Sequence, residues 1–152
     1  MRSLWQSLRP GGMTTVIDTN VLVALWDTDP QLNAAVQKAL DSAQGLGALV
    51  VTGAVYAELL ALPGRTEKML DEFFHATGIR VEWESSEEIW RVAGRTFQGY
   101  VVRRSSKRTE LPRRILADFL IGAHAAVHRY RLLTLDQRLY RAAFPKLEIA
   151  TL

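Results

Sequence analysis

The stretch over residues 13–26 constrains the fold most, because an apolar run passes through a carboxylate into a second apolar run. Residues 14–17 read Thr-Thr-Val-Ile, a β-branched run that is typical of a buried strand. Residues 18–20 are polar, and residues 21–26 suit a buried helix. This order predicts that Asp18 lies at the carboxyl end of a strand, where ligands bind in open α/β sheets. Asp18 is therefore the first candidate for chemistry.

Strand-like and helix-like segments alternate along the rest of the chain, which favours an α/β domain with a largely parallel sheet. Asp29-Pro30 is a typical helix start, and Ser85 followed three residues later by Glu88 predicts a capping box. Trp26, Trp83 and Trp90 lie in apolar patterns and are expected in the core. The predicted strands are 14–17, 48–52, 79–83, 132–134 and 147–151, and the predicted helices are 21–26, 30–43, 54–62, 66–77, 86–102, 115–130 and 136–143.

The length of 152 residues is typical of one domain, and no apolar run approaches the ~20 residues of a membrane helix. The chain has no cysteine, which excludes disulfides and thiolate metal sites and fits a cytoplasmic location. We expect an irregular arm over residues 1–12, with Met13 as an alternative start, and one domain over residues 13–152.

Basic residues are concentrated in the segment 103–114, which has six of them against a single acid, Glu110. The whole chain has a formal charge of only +3, so the remainder is net negative. A local basic patch of this kind favours a polyanionic partner, and a solvated loop is the alternative. The six residues are Arg103, Arg104, Lys107, Arg108, Arg113 and Arg114.

Four acids interrupt apolar patterns. Glu58 and Asp118 each lie within an otherwise apolar helical segment, and Asp18 and Asp136 each follow a predicted strand. A carboxylate in apolar surroundings loses several kcal/mol of solvation unless something compensates it, so each acid alone would face solvent or pair with an arginine. If all four converge, their repulsion raises their pKa values and favours a bound cation. Ligation by oxygen alone predicts Mg²⁺ or Mn²⁺, which can activate water and stabilise charge on a phosphodiester.

The ordered set of acidic motifs resembles that of the PIN-domain nucleases, over about residue 13 to the carboxyl end. The compact size resembles the VapC-like toxins of toxin–antitoxin pairs. The motifs are Val16-Ile17-Asp18-Thr19-Asn20, Ala57-Glu58-Leu59, Ala117-Asp118-Phe119-Leu120-Ile121-Gly122-Ala123 and Leu133-Thr134-Leu135-Asp136.

The resemblance implies a three-layer α/β/α fold whose central, largely parallel sheet of four or five strands is flanked by helices. It also implies a metal-dependent ribonuclease that forms a homodimer and is neutralised by an antitoxin. Many members have a further acid shortly after the fourth one, whereas Gln137 and Arg138 follow Asp136 here. The resemblance therefore does not decide whether the site binds one metal ion or two. The implied roles are Asp18, Glu58 and Asp118 as the main acidic triad, Asp136 as the fourth acid, and Asn20 and Thr134 as polar helpers.

Other functions remain as alternatives. A PIN-like fold can serve as a non-catalytic binding module, and a related nuclease can act on structured DNA. A phosphatase of the haloacid-dehalogenase type needs a second Asp two residues after the first, where this chain has Asn20. His124 and His128 have the spacing of a metal pair, but at about 100° per residue they point away from Asp118, so packing or surface roles are expected.

Overall fold

The computed structural model describes residues 12–105 and 116–152. Most of the predicted arm, residues 1–11, lies outside the described residues. The elements are β1 (Thr15–Ile17), α1 (Thr19–Leu25), α2 (Pro30–Leu46), β2 (Leu49–Thr52), α3 (Gly53–Leu60), α4 (Glu67–Thr77), β3 (Arg80–Glu82), α5 (Glu87–Ser105), α6 (Leu116–His128), β4 (Arg131–Leu133), α7 (Gln137–Ala143) and β5 (Ile149–Ala150).

The sheet has five strands in the order β3-β2-β1-β4-β5, and all four neighbouring pairs are parallel. The prediction of a three-layer α/β/α fold with a parallel sheet is therefore confirmed. The chain adds β2 and β3 on one side of β1 and then returns to add β4 and β5 on the other side. The carboxyl ends of β1 and β4 consequently meet at the point where the strand order reverses, the usual ligand-binding position of such sheets.

The centre of the sheet is buried on both faces, which explains why its strands are continuous apolar runs and do not alternate. Val16 and Ile17 of β1, and Val50 and Val51 of β2, have no exposed surface. Leu132 of β4 is equally buried. Among the described residues, no helix is long and apolar enough to span a membrane.

Helix α6 packs closely against the turn after α7 because position 122 is a glycine. A Cβ at Gly122 would overlap the ring of Phe144, the residue that directly follows α7. Phe144 also contacts Phe119 of α6, with ring centroids 6.2 Å apart. These contacts fix the helix that bears Asp118 against the one that bears Tyr140.

Local capping agrees with the sequence at one helix and differs at another. Asp29 caps α2, accepting hydrogen bonds from the backbone N–H of Gln31 (2.9 Å) and Leu32 (3.4 Å). The prediction of a capping box that starts at Ser85 is wrong. The hydroxyl of Ser86 accepts the hydrogen bond from the backbone N–H of Ile89 (3.3 Å), and α5 begins at Glu87. With the cap shifted by one position, the third helical residue is apolar and cannot return the bond.

Candidate active site

All four predicted acids line one open cleft of about 410 Å³ at the carboxyl edge of the sheet. Asp18 follows β1 and is almost fully buried, with 4% of its surface exposed. Its backbone N–H donates to the carbonyl of Leu133 in β4 (2.9 Å), which fixes it at the point where the strand order reverses. Glu58 comes from α3, Asp118 from the first turn of α6, and Asp136 from the start of α7.

Three hydrogen-bond donors hold the Asp18 carboxylate. Its Oδ1 accepts from the backbone N–H of Thr19 (2.8 Å), so Asp18 is also the N-cap of α1. Its Oδ2 accepts from the hydroxyl of Thr134 (2.8 Å) and from the hydroxyl of Tyr140 (3.1 Å). A buried carboxylate with this many donors keeps one orientation, because any rotation leaves a donor unpaired.

Asn20 and Thr134, the two predicted polar helpers, contact each other beside Asp18. The Asn20 amide nitrogen donates to Thr134 Oγ1 (3.5 Å), and its Oδ1 accepts from the backbone N–H of Leu135 (3.1 Å). Thr134 Oγ1 also accepts from the backbone N–H of Asp136 (3.1 Å). The two side chains therefore join the end of β4 to α1 and orient the Thr134 hydroxyl toward Asp18.

Glu58 and Asp136 lie further toward solvent. The Thr19 hydroxyl donates to Glu58 Oε1 (2.7 Å), so Thr19 contacts Asp18 through its backbone and Glu58 through its side chain. Asp136 is the N-cap of α7 and accepts from the backbone N–H of Arg138 (3.2 Å). Asp136 therefore has a helix-capping role whether or not it also contacts a cation.

Tyr140 is a site residue that the sequence reasoning missed. Its side chain is buried, with 1% exposed, and its hydroxyl lies 3.1 Å from Asp18 Oδ2 and 3.4 Å from Asp118 Oδ1. One buried hydroxyl therefore lies beside both carboxylates, which places Asp18 and Asp118 on the same side of the cleft. One feature of the sequence indicates its position. Tyr140 lies four residues, about one helical turn, after Asp136, so the two residues share a face of the predicted helix.

The charges in the cleft repel one another, as the sequence predicted for converging acids. Burial and the nearby charges of Asp18 and Glu58 raise the pKa of Asp118 to about 7. Burial also raises the pKa of Asp18, although the bonds from Thr134, Tyr140 and Thr19 N–H oppose the shift. Burial and the same carboxylates raise the pKa of the Tyr140 phenol, which keeps it a hydrogen-bond donor.

This donor set fits a hard divalent cation. Burial desolvates Asp18 and Asp118, the nearby acids repel these two carboxylates, and all four acids offer oxygen, the ligand that Mg²⁺ and Mn²⁺ prefer. Within residues 12–105 and 116–152, no three His, Cys, Asp or Glu side chains are arranged around a common ion position. Mg²⁺ typically uses only one or two carboxylates and keeps several waters. Asp18 and Asp118 would therefore be its direct ligands, with Glu58 and Asp136 near its waters.

His124 and His128 do not line this cleft. His124 is buried, and its Nε2 lies 2.9 Å from Glu82 Oε1. The ring of His128 stacks on Tyr130 with centroids 5.0 Å apart. Packing roles, as predicted from the helical angle to Asp118, account for both.

Only the beginning of the predicted basic segment is described. Arg103 lies in the last turns of α5 and is exposed. The backbone of Arg104 continues this helix. The other four basic residues, Lys107, Arg108, Arg113 and Arg114, lie outside the described residues.

A family model for the PIN domain matches residues 15–145, a range that contains all four acids and Tyr140. The chain belongs to the PIN domain family. PIN domain proteins are nucleases, so the activity that the family supports is hydrolysis of nucleic acid. Among curated proteins, no sequence matches this PIN domain chain.

Solved structures with the same fold come from several bacteria. VapBC2 from Rickettsia felis, bound to a DNA fragment from its promoter, has a TM-score of 0.66 at 17% identity, covering 92% of this chain and 99% of that one. FitAcB from Neisseria gonorrhoeae has a TM-score of 0.59 at 23% identity, covering 89% and 95%. A toxin–antitoxin complex from Klebsiella pneumoniae has a TM-score of 0.58 at 17% identity, covering 90% and 96%. At these identities the likeness shows the PIN fold alone.

Proposed function

We propose that this PIN domain chain is a divalent-metal-dependent endoribonuclease and the toxin of a toxin–antitoxin pair. The observation that carries the proposal is the pair of carboxylates, Asp18 and Asp118, held against one buried hydroxyl in an open cleft. A bound Mg²⁺ or Mn²⁺ would activate water and stabilise charge on the phosphodiester. The chain's own contribution is to orient the buried Asp18 and to place further acids at the rim.

The substrate and partner rest on the resemblance and on the similar structures. An antitoxin partner is supported by the toxin–antitoxin complex from Klebsiella pneumoniae, which has the same fold. The basic residues of 103–114 directly precede the helix of Asp118, so they would flank the cleft and offset its negative charge. We assign Arg103, Arg104, Lys107, Arg108, Arg113 and Arg114 to RNA backbone binding, and the protein to the cytoplasm.

We test the activity by metal removal. Single-stranded RNA should be cleaved in the presence of Mg²⁺ or Mn²⁺, and cleavage should stop with excess EDTA and return when Mn²⁺ is added back. The physical reason is that four acids without a cation repel the phosphodiester. Gel analysis of labelled RNA and of labelled duplex DNA under the same conditions provides the measurement.

Each alternative gives a different result in that assay. RNA binding without cleavage at any metal concentration would identify the chain as a non-catalytic binding module. Cleavage of duplex DNA with no cleavage of RNA would identify it as a DNA nuclease. RNA cleavage that survives EDTA would contradict the metal-dependent mechanism.

We also propose a homodimer. The sequence expectation that Trp83 and Trp90 are core was wrong, since 62% and 52% of their surfaces are exposed. Met69 on α4 is also exposed, at 44%. These large exposed apolar side chains lie on α4, directly after β3 and on α5, three consecutive segments of the chain. They favour a two-fold interface, the commonest symmetry of homo-oligomers.

The dimer has a direct test in light scattering at tens of micromolar protein. The wild-type chain should have about twice its monomer mass of 17.1 kDa. A Met69→Ser/Trp90→Ser variant should shift to the monomer mass, because it removes apolar surface from the interface. Leu152→Ser is the matched control, since Leu152 is an exposed apolar residue at the carboxyl end. A wild-type monomer at this concentration would contradict the proposal.

A further inference from the structure

The hydrogen bonds at Asp18 leave it little freedom in how it can hold a cation. A carboxylate oxygen has two lone-pair sites. Both sites of Oδ2 accept hydrogen bonds, one from Thr134 (2.8 Å) and one from Tyr140 (3.1 Å). Among the described residues, Oδ1 accepts one hydrogen bond, from the backbone N–H of Thr19 (2.8 Å), which leaves it one site. Asp18 can therefore offer a cation one oxygen while these donors are in place.

Tyr140 also determines where Asp118 lies relative to that oxygen. The phenol is buried, and its hydroxyl is 3.4 Å from Asp118 Oδ1. Phe144, the residue after α7, packs against Gly122 and Phe119 of α6, which holds α7 against the helix that bears Asp118. The hydroxyl is thus held between Asp18, which follows β1, and Asp118 of α6.

We infer that Tyr140 is a positioning residue that, together with Thr134, confines Asp18 to one-oxygen ligation and so makes the site selective for a small cation. The inference rests on the proposed metal-dependent function. Mg²⁺ requires near-ideal octahedral geometry at about 2.0–2.1 Å, and single-oxygen carboxylate ligands suit it. Ca²⁺ takes about 6–8 oxygens at 2.3–2.6 Å and gains from carboxylates that bind through both oxygens. The Tyr140 hydroxyl removes that option from Asp18.

The test is Tyr140→Phe, which removes only the hydroxyl, followed by calorimetric titration of the folded protein with Mn²⁺ and with Ca²⁺. Mn²⁺ affinity should fall about 10–100-fold, the usual effect of changing a residue that orients a metal ligand. Ca²⁺ affinity should be unchanged or higher, because Oδ2 regains a free site. The preference for Mn²⁺ over Ca²⁺ should thus fall at least about tenfold.

Three further variants separate selectivity from general stability. Thr134→Val removes the other donor to Oδ2 and should reduce the same preference, whereas Thr134→Ser retains the hydroxyl and should keep it. Tyr56→Phe is the matched control, because Tyr56 is also a buried tyrosine whose hydroxyl donates to a carboxylate, Asp71 (2.9 Å), but it does not line the cleft. It should leave both affinities unchanged. Thermal melts check that each variant is folded.

The outcomes differ for the inference and for the proposed function. Equal losses of Mn²⁺ and Ca²⁺ affinity in Tyr140→Phe, or no change in either, would overturn the inference while RNA cleavage by the wild type stands. A wild-type chain that prefers Mn²⁺, loses that preference in Tyr140→Phe and cleaves no RNA would support the inference and overturn the proposed nuclease. A wild-type chain that binds neither ion would overturn the inference.

Discussion

Asp18→Asn should lower RNA cleavage more than about a hundredfold while the protein remains folded. Changing a residue that only orients a metal ligand already costs about 10–100-fold, and Asp18 is the acid at the centre of the cleft. The substitution keeps an acceptor for the Thr19 N–H, and the Tyr140 hydroxyl can accept from the new amide. The Thr134 hydroxyl can donate to the Asp136 carbonyl, which lies 3.3 Å away. It removes one negative charge beside Glu58 and Asp118, so the metal-free protein should be as stable as the wild type or more stable.

The measurement combines single-turnover cleavage of labelled RNA with thermal denaturation in EDTA. Asp29→Asn is the matched control, because Asp29 is also a helix N-cap and asparagine caps about as well as aspartate. That control should retain full activity and an unchanged melting temperature. An Asp18→Asn protein that cleaves like the wild type would remove Asp18 from the mechanism, and one that fails to fold would show that its charge is structural.

The position of Asp18 could be predicted because the information is local. A β-branched run, a polar break and an apolar helix are adjacent in the chain, so the carboxylate between them is placed at the end of a strand. Glu58 and Asp118 could be predicted for a related reason, since an acid inside an apolar helical stretch stands out against its own neighbours. The sequence contains each of these signals within a few residues.

Tyr140 could not be found in the same way. In the sequence it is one more aromatic residue at a buried helical position, and its hydrogen-bond partner Asp18 is 122 residues away. Trp83 and Trp90 show the reverse error, because an apolar pattern does not say whether the side chain is covered within the chain or stays exposed. Periodicity predicts which face is apolar, and only the packed structure shows what that face contacts.

The Mn²⁺ affinity of the wild type should rise about tenfold per pH unit between pH 5 and 7 and level off above it, because the cation must displace a proton from Asp118. Burial first, and then the charges of Asp18 and Glu58, raise the pKa of Asp118 from 3.8 to about 7. Below that value the carboxyl is mostly protonated and is a poor ligand. Calorimetric titration across pH 5–8 provides the measurement, and an affinity that is independent of pH over the lower two units would contradict it.

The same shift predicts the opposite trend for the stability of the metal-free protein. A folded pKa above the unfolded one means that Asp118 binds more protons in the folded state between about pH 4 and 7, so the contribution of this group to stability falls as pH rises through this range. Asp118→Asn cannot titrate and should have a flatter dependence of melting temperature on pH in EDTA. The two trends have one cause, since the proton on Asp118 offsets the repulsion that a cation offsets at higher pH. The contradicting result is a metal-free wild type whose melting temperature changes with pH from 5 to 7 in the same way as that of Asp118→Asn. The pKa of Asp118 would then not be raised. Any pH dependence of Mn²⁺ binding would come from the titration of another group.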